Sequence, residues 1–430
     1  MKAFLRSVAL LIALVLMVGC AGNPAPDATS EKKEQTATAE TKSDESTTRE
    51  SLDDEETLGI ENPIRFAEDI RILDASEQLT EKRYEVPYRM DDAHIMLLYQ
   101  PLAKGLLHAS IYNTENKDGY GYSLTATGYY DLEKGKFVPI AEVGMPGYET
   151  ADDVERLTLY PLDEGHILCE KFWGENLEYA VYTIADGSLR DFVTFGPNEN
   201  YYYIDFPHTV AGKFTLAEPT PDGEGHTHVY DTATMKKILT HDGGESIFPW
   251  KDDVVYLERI HALDADDHFV DLYLEDRVYS WKSTMGEYLL TYGVGTDPDG
   301  VYALISTEKE REKDEDSDAI DLLIDVNPYF ELYRMSDETR FFEMCGSDID
   351  VKIAGPWIAI SRPTYLLSEE QKPVYLLVPG AHEALRITPE EQVSMIELLA
   401  YEPYAVLYPK VNDDDRTVTV TTYAPTEKAR

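Results

Sequence analysis

Residues 156–187 read RLTLYPLDEGHILCEKFWGENLEYAVYTIADG, and this stretch decides the fold. Arg156–Tyr160 and His166–Phe172 are short runs rich in apolar residues, separated by a polar turn, and a third run contains Val181 and Tyr182. Runs of this length and composition between turn residues read as strands. Ala185-Asp186-Gly187 then supplies the tight connection that joins antiparallel neighbours, and another run follows. The segment is one unit of four strands, A to D, in a meander.

The unit recurs. Tyr130, Tyr182, Tyr230, Tyr273, Tyr333, Tyr375 and Tyr423 stand 52, 48, 43, 60, 42 and 48 residues apart, a mean of about 49. Each follows a residue suited to a strand: Tyr129, Val181, Val229, Leu272, Leu332, Val374 and Thr422. Upstream lie the partner strands Leu106–Ile111, His166–Phe172, Lys213–Ala217, Val254–Ile260, Val301–Ser306, Trp357–Ser361 and Ala405–Tyr408. Further runs at Tyr201–Phe206, Tyr288–Tyr292 and Asp350–Ile353 supply first strands. Four-stranded units repeated around an axis make a β-propeller. The expectation is therefore an all-β chain with a β-propeller of seven four-stranded blades. Six blades, or tandem β-sandwiches, are alternatives that spacing alone leaves open. In period and strand count the pattern resembles the WD-repeat-type propellers, without their recurring Gly-His or Trp-Asp pair.

Only seven residues follow Tyr423, too few for a turn and a fourth strand. A closed ring supplies that strand from the other terminus, which also removes an exposed edge. Arg83–Arg89 or Asp69–Asp74 can provide it. Thr388-Pro389-Glu390-Glu391 competes locally, since a Thr cap, Pro at the first helical position and Glu two residues later favour a helix start.

The amino terminus has its own signature. Lys2 and Arg6 precede a twelve-residue apolar run, Val8–Gly19, too short to span a bilayer as a helix and suited to a signal-peptide core. It ends Leu16-Met17-Val18-Gly19-Cys20, which resembles a bacterial lipobox. The resemblance implies cleavage before Cys20 and acylation of Cys20, with palmitate-type chains giving a stable membrane anchor. Residues 20–56 then read as a disordered tether: Ala21–Glu56 has ten Ser or Thr, eleven acidic residues, four basic residues and no aromatic. Residues 57–430 form the propeller-like domain. The expected location is the extracytoplasmic side of a bacterial cell envelope, with the membrane as a partner through the lipid on Cys20.

With 82 acidic and 38 basic residues, a net charge of −44, the chain has no broad basic surface with which to displace counterions from phosphates, so nucleic acid is not an expected partner. Cys169 and Cys345 fall in the second and fifth units and read as buried fillers. There is no Gly-x-Ser-x-Gly elbow, no phosphate-cradling Gly-Lys-Ser/Thr loop and no paired-Cys zinc spacing, and His382-Glu383 lacks a second histidine. Asp264-x-Asp266-Asp267-His268 and Asp297-Pro298-Asp299-Gly300 lack the ligand spacing of a calcium loop, so neither a metal nor another cofactor is expected.

Placing the acids on the repeat is more informative. The B–C loops carry Glu115 and Asp118, Glu175, Asp222 and Glu224, Asp264, Asp266 and Asp267, the run Glu308–Asp318, Glu369 and Glu370, and Asp413–Asp415. In a propeller these loops share one face with the D–A connections. Among them stand Tyr112, Tyr122, Trp173, His226, His261 and Tyr365, aromatic platforms that suit a carbohydrate or a cationic protein ligand. Any one acidic loop tip is also what a soluble acidic protein shows everywhere. The leading expectation is a non-catalytic binding propeller using this acidic face. An extracytoplasmic glycan hydrolase or lyase is the alternative, with Asp205 and Glu343 among its candidate acids and a carboxyl pair at the axis as its mark. An envelope assembly factor is a third reading.

Overall fold

The computed structural model describes residues 64–426 other than 116–121, 174–175, 197–206, 211, 219–224, 243–245, 262–267, 276, 284–290, 298–299, 309–327, 346–349, 362–371 and 413–414. Cys20, the signal-like segment and the tether lie outside the described residues.

Three strands precede the blades: β1 (Ile64–Phe66), β2 (Arg71–Asp74) and β3 (Leu79–Pro87). Blade one contains β4 (His94–Ala103), β5 (Leu106–Asn113), β6 (Ser123–Asp131) and β7 (Lys136–Glu142). Blade two has β8 (Leu157–Asp163), β9 (His166–Trp173), β10 (Asn176–Thr183) and β11 (Ser188–Phe195). Blade three has β12 (Thr209–Val210), β13 (Lys213–Glu218), β14 (His226–Asp231) and β15 (Lys236–Asp242). Blade four has β16 (Ser246–Trp250), β17 (Asp253–His261), β18 (His268–Leu274) and β19 (Arg277–Ser283). Blade five has β20 (Thr291–Asp297), β21 (Gly300–Glu308), β22 (Pro328–Arg334) and β23 (Thr339–Cys345). Blade six has β24 (Asp350–Ala354), β25 (Trp357–Ser361), β26 (Val374–Val378) and β27 (Glu383–Ile387). Blade seven has β28 (Val393–Leu398), β29 (Ala405–Pro409) and β30 (Thr417–Pro425).

Each blade is an antiparallel meander in chain order, and the described strands form seven sheets. The first strands face one another around the axis. Thus β4 touches β8, β12 touches β16, β16 touches β20, β20 touches β24, β24 touches β28, and β28 returns to β4. The protein is a seven-bladed β-propeller, and the six-blade and sandwich alternatives fall away.

The burial patterns explain this arrangement. All five residues of β25 and all five of β29 are buried, because second strands are covered on both faces by neighbouring blades. The fourth strand β11 is mostly exposed. Between blades two and three, Leu168, Tyr179 and Phe195 pack with Phe214, Leu216 and Tyr230. Between blades seven and one, Val406, Val420 and Tyr404 pack with Met96, Leu107 and Tyr130. No blade can bury both its faces alone, so the cores form between blades and the ring orders as a unit. The recurring tyrosines Tyr130, Tyr182, Tyr230, Tyr375 and Tyr423 are buried in these seams.

The amino-terminal strands dress the outer edges of three consecutive blades. β3 pairs antiparallel with β30 from Leu79↔Pro425 to Pro87↔Thr417 and completes blade seven. This strand begins four residues before Arg83, while Arg71–Asp74 goes elsewhere: β2 adds to blade six in parallel with β27. β1 adds to blade five antiparallel to β23. Polar contacts hold this belt, including Asp69 with His382 Nδ1 at 2.7 Å, Arg71 with Glu383, and Arg65 with Glu343 at 3.9 Å.

Residues 388–392 form no helix; they connect β27 to β28. Glu390 spends its carboxylate on Arg83 of β3, and Ile396 and Leu398 of the strand that follows are buried, which one isolated helical turn does not offset. Cys169 on β9 is buried, and burial pushes its thiol up to about 12, so it is an inert filler. Cys345 ends β23, three blades away.

Candidate functional site

First strands have one edge without a ladder partner, so the axis is lined by backbone that must find other bonds. Prolines accept this place because they have no N–H to satisfy; Pro101, Pro161 and Pro249 all sit on first strands. Side chains from a neighbouring blade cap the carbonyls. Thr209 donates to the Pro161 oxygen at 2.6 Å, Thr296 to the Pro249 oxygen at 2.9 Å, and Gln100 to the Leu159 oxygen at 3.0 Å. The buried Tyr408 hydroxyl donates to the Tyr99 oxygen across the blade seven–one seam.

At the ends of these strands, on the A–B face, an open recess of about 500 Å³ is lined by Pro161, His208, Phe248, Thr296, Ile353 and Ala400, with further apolar neighbours. The His208 and Phe248 rings lie 4.2 Å apart, centroid to centroid. With hydroxyl lone pairs and two rings in a mostly apolar wall, it can hold a flat, weakly polar group.

Further along the axis, β24 and β28 bring three charged side chains together. Lys352 Nζ lies 3.4 Å from Glu397 Oε1. Burial holds the Glu397 carboxyl above its ordinary range against the pull of Lys352, with the charge of Asp350 adding to the rise. Burial likewise raises Asp350. Two carboxyls and an amine on adjacent inner strands can share a proton or hold a cation. Their signal in the sequence is faint, since Asp350 and Lys352 are charges at alternate positions of a strand and Glu397 stands between Ile396 and Leu398.

Glu343, a candidate acid from the sequence, is not axial. It lies on the outer strand β23, 2.9 Å from Arg340, because the fourth strand is farthest from the axis. Asp205 lies outside the described residues.

The B–C face is partly described. Tyr112, near the end of β5, shares a 3.0 Å hydrogen bond with Tyr99 and packs against the core between blades one and two. Tyr122 precedes β6 and is 46% exposed. His226 opens β14, with Nδ1 2.8 Å from Asp242 Oδ1. Trp173 and His261 end β9 and β17. All five therefore lie at strand ends that open on the same face. Asp264, Asp266, Asp267 and Tyr365 lie outside the described residues. The D–A connections, whose acids the repeat pattern did not single out, add exposed carboxylates: Asp91, Asp92, Glu149, Asp152, Glu155, Glu390 and Glu391. Some acids here have local work. Asp153 forms a capping box with Thr150 on the short helix Ala151–Glu155, and hydrogen bonds from the Ala93 N–H and the His94 side chain hold Asp91 low.

Beneath this face, between blades two and three, Glu170 is pushed up to about 7 by burial, opposed by hydrogen bonds from Tyr179 and Tyr160. His228 contacts Glu218 at 2.6 Å and Thr240 at 2.9 Å. Among the described residues, no three His, Cys, Asp or Glu side chains converge as a metal site.

No protein-family model matches this chain. No curated protein sequence matches it either. Among solved structures, it is similar to the β-propeller domain of the Trilobed protease from Pyrococcus furiosus, at 13% identity and a TM-score of 0.45, covering 77% of this chain and 97% of that one. It is also similar to an acylaminoacyl peptidase at 12% identity and a TM-score of 0.44, covering 76% of this chain and 51% of the peptidase. The WD40 domain of Toxoplasma gondii coronin aligns at 9% identity and a TM-score of 0.39, over 84% of this chain and 89% of that one. At these identities the likeness concerns the fold alone.

Proposed function

We propose that this chain is a lipid-anchored, extracytoplasmic propeller that binds a ligand or protein partner, without catalysis, on its acidic B–C and D–A face. Connectivity carries the reading. Every blade runs A to D in the same sense around a closed ring, so all the strand ends that bracket the acidic segments open on one face, as do the exposed Asp91, Asp92, Glu149, Asp152, Glu155, Glu390 and Glu391. Carboxylates gathered on a rigid rim raise the local concentration of cations, so a cationic peptide or a basic protein patch is the favoured ligand class, with carbohydrate second. The test immobilises a chain beginning at Ser51 and measures binding of a lysine decapeptide and of neutral oligosaccharides. Converting Asp91, Asp92, Glu149 and Asp152 to amides should weaken decapeptide binding at least tenfold, and undiminished binding sinks the face assignment. The anchor has a separate test: palmitate labelling that persists in Cys20→Ala overturns it.

One observation favours a second reading. Asp350 and Glu397 are raised carboxyls on adjacent inner strands, the kind of pair a hydrolase or lyase needs at its axis. Turnover of an acidic or neutral glycan that Glu397→Gln abolishes would establish it in place of the binding reading.

A further inference from the structure

The outer edges of the seven blades are treated unequally. β1 covers blade five, β2 covers blade six, and β3 is itself the outer strand of blade seven. Blade one ends in β7, whose Pro139 interrupts the donor row. Among the described residues, nothing pairs with the outer edges of β11, β15 and β19 in blades two, three and four.

These three edges have their own chemistry. Leu189, Ile238 and Val278, one on each, are 45%, 44% and 52% exposed. Leu189 and Val278 occupy the same place in their blades, opposite the recurring Tyr182 and Tyr273, and Ile238 stands at the bulge opposite Tyr230. The three strands carry Arg190, Lys236, Lys237, Arg277 and Lys282 against Asp191 and Asp242, an excess of base in a chain with 82 acidic and only 38 basic residues. Lys236, Lys237 and Ile238 are consecutive and exposed on β15.

The molecule already shows that such edges accept strands, antiparallel at β23 and parallel at β27. We propose that the outer rim of blades two to four, centred on β15, takes up an extended acidic segment of a partner polypeptide as an added strand. Main-chain hydrogen bonds supply the affinity, and alternate side chains of the guest meet Ile238 and the lysines. This surface is separate from the acidic face and calls for a ligand of opposite charge.

The competing role for edge lysines is to prevent strands of other copies from pairing. The experiment separates the two. A fluorescein-labelled decapeptide alternating valine and glutamate is titrated into the full chain, into the Lys236→Glu/Lys237→Glu variant and into Ile238→Pro, each checked for folding by circular dichroism. The expected result is saturable binding, weakened at least tenfold by either variant, with hydrogen-exchange protection over residues 236–242. A valine–lysine decapeptide should bind the charge-reversed variant better than the native chain. Absence of saturable binding, binding indifferent to both variants, or self-association of the charge-reversed variant without peptide binding by the native chain overturns the proposal.

Discussion

The hydroxyl of Thr209 donates to the main-chain oxygen of Pro161 at 2.6 Å, joining the innermost strands of blades three and two. Two blades on, Thr296 repeats the bond to Pro249 at 2.9 Å. In both pairs the proline removes a donor from the inner edge, and the threonine of the next blade caps the carbonyl that remains. Thr209→Val and Thr296→Val keep the shape and lose the bond. Each should cost about 1 kcal/mol, and the double variant about twice that, because the sites share no partner. Urea denaturation measures it.

Ring closure is a second point of test. A chain starting at Asp74 lacks β1 and nearly all of β2 but retains β3, and should still unfold cooperatively at a lower Tm. A chain starting at Tyr88 lacks β3, exposing the edge of β30 and opening the pocket around the buried Val86, and should show no cooperative transition. A cooperative transition in the shorter chain would show that β3 is dispensable.

Glu170 and His108 predict pH dependence of opposite sign. The folded pKa of Glu170 is raised to about 7, so the folded state holds its proton more tightly than the unfolded state. Its effect is to lower stability as pH rises from about 4.5 to 7. Glu170→Gln should therefore gain about 1–3 kcal/mol at pH 8 and little at pH 5. Denaturant midpoints at the two pH values decide it.

His108 works the other way. Burial lowers its pKa to about 4, so the folded state favours neutral imidazole. The stability it contributes is present above about pH 6.5 and is lost as pH falls toward 4. An uncharged substitute that keeps the bond to Thr127, His108→Gln, should flatten this acid limb of the stability profile.

Gly128 stands at the bulge between β6 and β7, where an added Cβ would lie 2.1 Å from the Val138 oxygen. Gly128→Ala must displace backbone and should cost at least about 2 kcal/mol. Calorimetry of that variant is the check.

The repeat of tyrosines and turns made the four-stranded meander and the need for a closing strand legible, because those depend on local periodicity and loop length, while the number seven was settled only by the sheets themselves. The helix start at Thr388 was legible and misleading, since its residues serve a long-range contact, Glu390 with Arg83. The face on which the B–C loops gather followed from the meander, but the carboxylates that the D–A connections add to it emerged only with the tertiary structure. The same holds at the axis. Asp350, Lys352 and Glu397 are unremarkable in strands separated by some forty residues, and only the packing of blade six against blade seven sets them side by side and partly shields the carboxyls from water. Which edges are covered was equally invisible in the sequence, because β1 and β2 choose blades five and six through pairings across more than two hundred residues. Periodicity fixes what each segment becomes; burial and pairing between distant segments decide which of its charges meet.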